Sequence, residues 1–459
     1  MTVDEILEII KDQKKYFSTG VTLDVDFRIQ CLKRLRNVIV KQLPLIYQAL
    51  FQDLGKGKSE AYMCEVGMVL NECDYMIRHL KSFAKDKKVH TPIAQFSANS
   101  MRRPSPYGCV LVMSPWNYPF LLTMDPLIDA LAAGNTVCVK PSAYSPATSE
   151  AIATICHLAF NRHLVSVVTG GRKENQALLD QDFDYIFFTG SVSVGKEVMR
   201  RASEHLVPIT LELGGKSPVI IDETANIKLA ARRIVFGKYL NVGQTCVAPD
   251  YVMVHEDVHD EFVKAVKEEI NRQYGGDILN ANDYGRIVNE KHYHRIMGLI
   301  DPNKVIVGGN GNESSLKIAP TVLDNVSFDD AVMQEEIFGP IMPILTFNDL
   351  EEVIEKVRSL PNPLALYLFT ENKAVMDKVT KRINFGGGCI NDTIIHLASS
   401  HLPFGGVGES GMGGYHGKVG FETFSHYKSI VNKHTWFDMP LRYRPYNKVN
   451  DLLIKTFMK

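Results

Sequence analysis

The stretch Gly108-Cys-Val-Leu-Val-Met113 is the first of five short apolar runs that alternate with helical stretches in this chain. Each run has the length of a buried strand, and the segments between the runs carry apolar residues at helical spacing. Strands that alternate with helices indicate βαβ units and a parallel sheet. The other four runs of the series lie at 136–139, 165–168, 185–188 and 209–211.

A second series of apolar runs predicts a second α/β domain, from about Leu213 to Gly417. Its runs lie at 218–221, 251–254, 305–307 and 365–369. Residues 1–85 read as helices, because Thr2 and Glu5 have capping-box spacing and apolar residues then recur at helical period. The polar stretch 88–106 alternates like an exposed hairpin. The fold class that we predict is therefore α/β, with two parallel-sheet domains and a small β arm.

Composition places the chain among globular proteins and excludes several functions. Of 459 residues, 45% are hydrophobic and 22% are charged, and 51 basic residues face 52 acidic ones. This balance argues against nucleic-acid binding, which needs concentrated positive charge. The sequence shows no secretory signal, and no apolar run approaches the roughly 18 residues of a membrane span. Eight cysteines without a CxxC pair suggest reduced thiols and a cytoplasmic location.

Two glycine-rich segments resemble nucleotide-binding motifs. Gly406, Gly408 and Gly411 satisfy GxGxxG, but neither a strand before them nor a helix after them is predicted, so the match is weak. Gly190-Ser-Val-Ser-Val-Gly-Lys-Glu197 misses the P-loop pattern by its last residue, where a carboxylate would repel phosphates. A nucleoside triphosphatase remains an alternative function. A milder interpretation is a glycine turn that leads into a helix N-terminus beside a phosphate.

His255-Glu-Asp-Val-His259 matches the HExxH pattern of zinc peptidases, whose two histidines must share one helical face. The apolar run before His255 predicts a strand, and Asp257 is a good N-cap for a helix that begins there. The two histidines then do not share a face. We therefore expect no metal site in this chain.

Cys246 is a candidate nucleophile, because it lies in the glycine-containing segment Asn241-Val-Gly-Gln-Thr-Cys-Val-Ala-Pro249 between a predicted helix and a predicted strand. A single cysteine is more often an inert buried side chain, since reactivity requires thiolate character and access. Position alone therefore does not decide the role of this thiol.

Four further motifs accompany the Cys246 segment in a fixed order along the chain. They are Ser114-Pro-Trp-Asn-Tyr-Pro119, Val139-Lys-Pro-Ser142, Leu211-Glu-Leu-Gly-Gly-Lys216 and Glu335-Glu-Ile-Phe-Gly-Pro340. With these motifs the chain resembles the aldehyde dehydrogenase superfamily over nearly its whole length. The C-terminal segment, with Pro403-Phe-Gly-Gly-Val-Gly-Glu-Ser-Gly-Met-Gly-Gly-Tyr-His-Gly417, resembles the class 3 branch.

The resemblance implies a thiol mechanism with three catalytic residues. Cys246 would attack the aldehyde carbon, and the resulting oxyanion would be held by the Asn117 amide and the Cys246 backbone N–H. Hydride loss would leave a thioester on Cys246. Glu212 would be the general base that activates the hydrolytic water.

The resemblance also implies a Rossmann-like cofactor domain that binds NAD or NADP without the usual fingerprint. Lys140 and Glu336 would hold the two riboses, and the turn at Gly190 would approach the diphosphate. The full set of implied cofactor contacts is Trp116, Lys140, Ser142, Gly190, Ser191, Gly195, Leu213, Gly214, Glu336 and Phe338. The family often has Glu three residues after the lysine, but here that residue is Ala143, which predicts dual use of NAD and NADP.

Substrate, partner and domain expectations follow from the same resemblance. We expect apolar aldehydes of medium or long chain, aromatic aldehydes, or terpenoid aldehydes such as the carotenoid 4,4′-diaponeurosporenal. Substrate-tunnel residues by analogy are Met113, Tyr118, Ile394, Ile395 and His396.

Segments 1–87 and 107–212 would form the cofactor domain, 213–418 the catalytic domain, and 88–106 with 419–459 the arm of a homodimer and the tail. The tail would make at most peripheral membrane contact. A non-catalytic binding role for the whole protein is a further alternative to the enzymatic function.

Overall fold

The computed structural model describes residues 1–457, and its N-terminal part is helical as predicted. Thr2 and Glu5 form the capping box at the first helix, with each side chain bonded to the other residue's backbone N–H. A π-helical turn, Tyr62–Val66, joins the fourth and fifth helices. In chain order the elements are α1 (Val3–Ser18), α2 (Val25–Lys41), α3 (Leu43–Leu54), α4 (Lys58–Ala61), α5 (Gly67–Phe83), β1 (Lys87–Val89) and β2 (Ala98–Pro106).

The first sheet contains five strands that correspond to the five predicted apolar runs. Its elements are β3 (Cys109–Met113), α6 (Leu121–Ala133), β4 (Thr136–Lys140), α7 (Pro146–Ala159), β5 (Val165–Val167), α8 (Arg172–Leu179), β6 (Tyr185–Thr189), α9 (Val192–Glu204) and β7 (Ile209–Glu212). Strands β7, β6, β3, β4 and β5 lie side by side in that order and are parallel. Every residue of β3 and β4 is buried, as expected for a parallel sheet with both faces covered.

The second sheet lies in the following part of the chain. Its elements are β8 (Pro218–Ile221), α10 (Ile227–Tyr239), β9 (Tyr251–His255), α11 (Glu256–Tyr274), α12 (Glu290–Met297), β10 (Val305–Val307), β11 (Gly311–Asn312), β12 (Lys317–Ile318), β13 (Thr321–Leu323), β14 (Ile341–Phe347), α13 (Leu350–Arg358), β15 (Ala365–Phe369), α14 (Lys373–Arg382) and β16 (Gly387–Ile390). Seven strands pair in the order β10-β13-β14-β9-β8-β15-β16, and only β10 is antiparallel to its neighbour. The α/β class predicted from the sequence is confirmed.

The last elements return to the first sheet and to the arm. They are β17 (Gly411–Met412), α15 (Gly417–Thr423), β18 (Ser425–Lys433) and α16 (Lys448–Phe457). Strand β17 pairs antiparallel with β7, so a segment expected with the second domain joins the first sheet. The arm is a three-stranded antiparallel sheet in the order β1-β2-β18, and β18 pairs with β2 along its whole length.

The connection between β1 and β2 differs from the predicted hairpin. Strand β1 ends at Val89, and Ile93–Gln95 forms a 3₁₀ turn where the alternating pattern suggested a strand. Pro92 precedes that turn and lacks the N–H that a strand ladder requires. Among residues 1–457, no helix has both the length and the apolar composition needed to cross a membrane.

The HExxH look-alike forms a strand-to-helix junction. Helix α11 begins at Glu256, one residue before the predicted start, and the imidazole of His255 caps it by accepting the Asp257 N–H at 3.3 Å. His259 lies inside the helix, where its Nε2 is 2.9 Å from a carboxylate oxygen of Asp324. The two imidazoles therefore serve separate local contacts.

Candidate active site

The segment that carries Cys246 has an unusual backbone. After α10, Asn241, Val242 and Gly243 have φ angles of 51°, 57° and 72°. A positive φ is rare for β-branched Val, so neighbouring contacts must hold the segment in place. The side chain of Glu60 accepts the Asn241 N–H at 2.9 Å, and the Asn241 amide donates to the Asn117 carbonyl at 2.8 Å.

The Cys246 thiol lies at a cavity wall and is neutral. Burial raises the pKa of this thiol to about 12, and the nearby carboxyl groups of Glu336 and Glu212 act in the same direction. A thiol is a weak nucleophile and a thiolate a strong one. Catalysis by Cys246 therefore requires a group that takes the proton or a positive charge that stabilises the thiolate.

Glu212 ends β7 and is 2% exposed. Its backbone carbonyl accepts the Gly190 N–H at 3.0 Å. Neither carboxylate oxygen has a hydrogen-bond partner among residues 1–457, and burial raises the pKa of the carboxyl group well above its ordinary value. A carboxyl group with a raised pKa and free oxygens suits proton transfer near neutral pH.

Asn117 is buried beside the Cys246 segment, and its amide donates to the Gln244 carbonyl at 3.1 Å. This bond uses one of the two amide N–H groups and leaves the other for an oxyanion. Asn117 does not contribute to the wall of the cavity that Cys246 and Glu212 share.

A buried ion pair that the sequence analysis missed supports this region. Lys56 lies 2.5 Å from Glu65, and the second oxygen of Glu65 accepts the Phe120 N–H at 2.8 Å, at the start of α6. The Lys56 ammonium lies 4.2 Å from the ring centre of Tyr118, whose hydroxyl bonds Thr245 at 2.7 Å. No motif marks Lys56, since it lies in an ordinary polar turn of the sequence.

Cys246 and Glu212 line an apolar cavity that encloses about 940 Å³, its open mouth included. Of the predicted tunnel residues, Tyr118, Ile394 and Ile395 line it, but Met113 and His396 do not. Met113 instead packs in the core beneath the first sheet. The remaining wall is contributed mainly by Met63, Cys64, Met68, Leu121, Leu122, Leu213, Phe236, Leu240, Val247, Leu364, Leu397, Ala398, Phe404 and Tyr415.

The predicted ribose-binding lysine lies at the end of β4. Lys140 is 3% exposed, and its ammonium donates to the carbonyls of Gly170 at 2.7 Å and Pro141 at 2.8 Å. Burial lowers the pKa of this ammonium to about 8. Two residues on, the Ser142 hydroxyl accepts the Tyr144 N–H at 3.2 Å. The carboxyl end of β4 therefore presents the Lys140 ammonium and the Ser142 hydroxyl.

The glycine turn between β6 and α9 brings the helix close to the sheet. A Cβ at Gly195 would lie 2.7 Å from a terminal methyl of Leu213, so a larger residue would require this side chain to shift. Ser191 caps α9 by accepting the Val194 N–H at 3.5 Å. Glu197, which replaces the P-loop hydroxyl, pairs with Arg200 on the exposed face of α9.

Glu336 and Phe338 approach the same edge from the second domain. A Cβ at Gly214 would lie 2.2 Å from a Glu336 carboxylate oxygen, so only glycine leaves room for that carboxyl group. Burial raises the pKa of Glu336 to about 8. Phe338 has a φ of 47°, and its ring meets the Trp116 ring edge-to-face at 5.4 Å.

These residues fit a dinucleotide by the chemistry of their donors. The turn after β6 offers a hydroxyl and the N-terminus of the 13-residue helix α9, which suits a diphosphate. Lys140, Ser142 and Glu336 offer polar groups for ribose hydroxyls, and the Trp116–Phe338 pair offers an aromatic wall. All of them lie at the carboxyl ends of strands or in loops beside them, where α/β sheets bind ligands.

A thiol and a buried carboxyl group in one cavity, beside a sheet edge that suits a dinucleotide, are the features of an α/β oxidoreductase. The comparisons agree, because the sequence model described as the aldehyde dehydrogenase family matches residues 1–430. The chain therefore belongs to the aldehyde dehydrogenase family. The predicted NAD(P)-dependent aldehyde dehydrogenase activity and the resemblance to the class 3 branch are confirmed. The triphosphatase and non-catalytic alternatives lose their support.

Two relatives and one solved structure span almost the whole chain. The 4,4'-diaponeurosporen-aldehyde dehydrogenase of Staphylococcus aureus is 48% identical over 450 residues, which is 98% of each chain. The dimeric NADP-preferring aldehyde dehydrogenase of Rattus norvegicus is 44% identical, over 94% of this chain and 95% of the rat protein. A structure of the substrate-bound state of Staphylococcus aureus AldH superimposes with a TM-score of 0.97 at 48% identity, covering 99% of each chain.

Proposed function

We propose that this enzyme oxidises apolar aldehydes to carboxylic acids, with Cys246 as the nucleophile and Glu212 as the general base. The observation that carries the proposal is the shared cavity, whose mainly apolar wall contains the thiol and the carboxyl group. A cavity of this composition favours hydrocarbon chains over charged substrates. The Staphylococcus aureus relative, which is named for 4,4'-diaponeurosporen-aldehyde, supports a terpenoid aldehyde among the substrates.

The chain's own residues account for the steps of the mechanism. The Cys246 thiol gives up its proton to solvent as its sulfur bonds to the aldehyde carbon, and the Cys246 N–H with the free Asn117 N–H holds the oxyanion that forms. When NAD(P) is bound, it supplies the hydride acceptor. The thioester that remains on Cys246 is attacked by a water molecule whose proton passes to Glu212. The acid leaves, and the sulfur is free again.

A reduced-cofactor absorbance assay with a chain-length series of n-alkanals tests the proposal. We expect turnover that does not depend on nucleoside triphosphate and that is lost in Cys246→Ala. Cys64→Ala is the matched control, because Cys64 lines the same cavity. Absence of reduced cofactor with every aldehyde, or equal loss in both variants, would contradict the proposal.

The oligomeric state that we propose is a homodimer formed through the arm. The rat relative is named as dimeric, and the arm exposes large apolar side chains. Ile93 is 66% exposed and Trp436 is 70% exposed. Such side chains on a small sheet with open edges suit an interface. Sedimentation at micromolar concentration should give a dimer, and a stable monomer would refute this proposal.

The domain boundaries and the compartment also remain proposals. We propose a cofactor domain of 1–87 and 107–212 and a catalytic domain of 213–418. One hydrophobic core confined to each sheet supports this division, while a third core joins the two sheets and β17 crosses to the first. A cytoplasmic location is supported by eight cysteines that are all free thiols. Limited proteolysis that cuts first near residue 213 would support the boundary, and cuts inside β3 or β8 would oppose it.

A further inference from the structure

A second pocket opens beside the apolar cavity and shares one wall with it. The shared residues are Met63, Met68, Leu397, Ala398 and His416. The second pocket, called the side pocket below, differs from the cavity in its polar residues. These are Asn71, Glu72, Asp125 and Ser400, whereas His416 lines both pockets. The side pocket therefore places hydrogen-bonding groups directly beside the apolar cavity.

The side pocket is lined in part by a carboxyl group with an unpartnered oxygen. Asp125 is 1% exposed, and its Oδ1 has no hydrogen-bond partner among residues 1–457. Its Oδ2 lies 3.6 Å from Nδ1 of His416, which is beyond hydrogen-bond distance. Buried polar atoms are nearly always bonded, so this oxygen points to a ligand group that completes it.

The other side chains that line the side pocket are polar, but none of them gives the pocket a positive charge. Glu72 is 2% exposed and accepts the Gly417 N–H at 2.7 Å. Burial raises the pKa of Glu72 and Asp125, and it lowers the pKa of His416 to about 4. No lysine or arginine lines the pocket in the described part of the chain. Protonated carboxyl groups both donate and accept hydrogen bonds, which suits a neutral polar group.

We propose that the side pocket is a specificity subsite for a hydroxyl group on the chain of the aldehyde substrate. This inference rests on the proposed assignment of the apolar cavity to the aldehyde. A substrate hydroxyl group donates a hydrogen bond to the free oxygen of Asp125. It accepts a hydrogen bond from a neutral carboxyl group of the pocket. An unsubstituted alkanal leaves Asp125 unpartnered. An ammonium group fits less well, because its charge would need an ionised partner where burial favours the neutral acid.

The test compares ω-hydroxyalkanals with n-alkanals of equal chain length, over a series of lengths, on the wild-type enzyme. At the length that reaches Asp125, we expect kcat/KM for the hydroxyl compound to exceed that of the alkanal by about tenfold. Diols should also inhibit alkanal oxidation more strongly than the matching alcohols. Equal values at every length would overturn the inference, as would a preference for ω-aminoalkanals.

Variants connect this preference to Asp125. Asp125→Leu should abolish the preference and leave n-alkanal oxidation within about twofold, whereas Asp125→Asn keeps a hydrogen-bonding group and should retain part of it. Loss of alkanal oxidation without loss of the preference would overturn the assignment. The diol comparison on the wild-type enzyme decides the matter if Asp125→Leu does not fold. If the proposed function itself is wrong, the wild-type enzyme will oxidise neither the ω-hydroxyalkanals nor the n-alkanals, which distinguishes that outcome from a failure of the subsite.

Discussion

Replacing Glu212 by Gln should slow catalysis and stabilise the fold in a pH-dependent way. Gln keeps the size of the side chain but takes no proton from water. Because the carboxyl oxygens have no partner in the fold, the substitution breaks no hydrogen bond that holds β7. The two effects therefore separate the chemical role of Glu212 from a structural one.

General-base catalysis typically contributes about 10²–10⁴-fold, so thioester hydrolysis should fall by at least about 100-fold, or roughly 2.7 kcal/mol. Cys246 and its oxyanion donors remain in Glu212→Gln, so the first turnover should proceed. Rapid mixing should then show a burst of about one reduced cofactor per active subunit, followed by a slow steady state. If burst and steady state fall together, Glu212 acts earlier, in activating Cys246.

The stability effect has a definite sign. The pKa of Glu212 is raised in the folded state, so at pH 4 and below both the folded and the unfolded chain keep the proton. As the pH rises, the unfolded chain ionises first, and the folded state loses stability until its own pKa is reached. The Tm of Glu212→Gln relative to wild type should therefore increase as the pH rises above about 4.5, until the folded-state pKa is reached. A difference that is constant with pH would refute a raised pKa.

Four further predictions follow from the site. Cys246→Ala should abolish aldehyde oxidation and leave cofactor binding, measured by calorimetry, unchanged; residual turnover would contradict the mechanism. Iodoacetamide labelling of Cys246 without cofactor should increase about tenfold per pH unit from pH 6 to 10, because its pKa is about 12; a plateau near pH 8 would contradict this. Ala143→Glu should raise KM for NADP at least about tenfold, or 1.4 kcal/mol, by repelling the 2′-phosphate, with KM for NAD unchanged; wild-type rejection of NADP would refute it. Lys56→Met should lower the free energy of unfolding by about 3–5 kcal/mol, since it leaves Glu65 buried alone, and adding Glu65→Gln should restore part of the loss in denaturant titrations.

Much of the fold could be predicted because buried parallel strands leave a clear mark in sequence. The predicted run 365–369 coincides with β15, and the run that begins at Gly108 becomes β3. Strands β14 and β16 were not predicted. Pro343 interrupts the pattern of β14, and β16 begins with two glycines, so neither has the composition of a typical strand.

The site was predictable only in part, because the family resemblance identifies residues and leaves their contacts open. The positive φ of Val242 carries no sequence signal, since Val disfavours that conformation. Glu60 and Lys56 stabilise the region through contacts with residues far along the chain. The carboxyl group of Asp125 lies on a helix with an ordinary apolar pattern, so its burial beside a cavity also became evident only in three dimensions.

The charges around Cys246 explain how the enzyme avoids a permanently reactive thiol. Burial is the main cause that opposes ionisation of the thiol, and two carboxyl groups, Glu336 and Glu212, act in the same direction. A site arranged only for nucleophilicity would instead place a cation there, because a nearby positive charge lowers a thiol pKa. With this arrangement Cys246 stays protonated until a positive charge enters or Glu212 accepts its proton. We therefore expect the free enzyme to react slowly with electrophiles. The pH dependence of labelling in the free enzyme is therefore a direct measure of this protection.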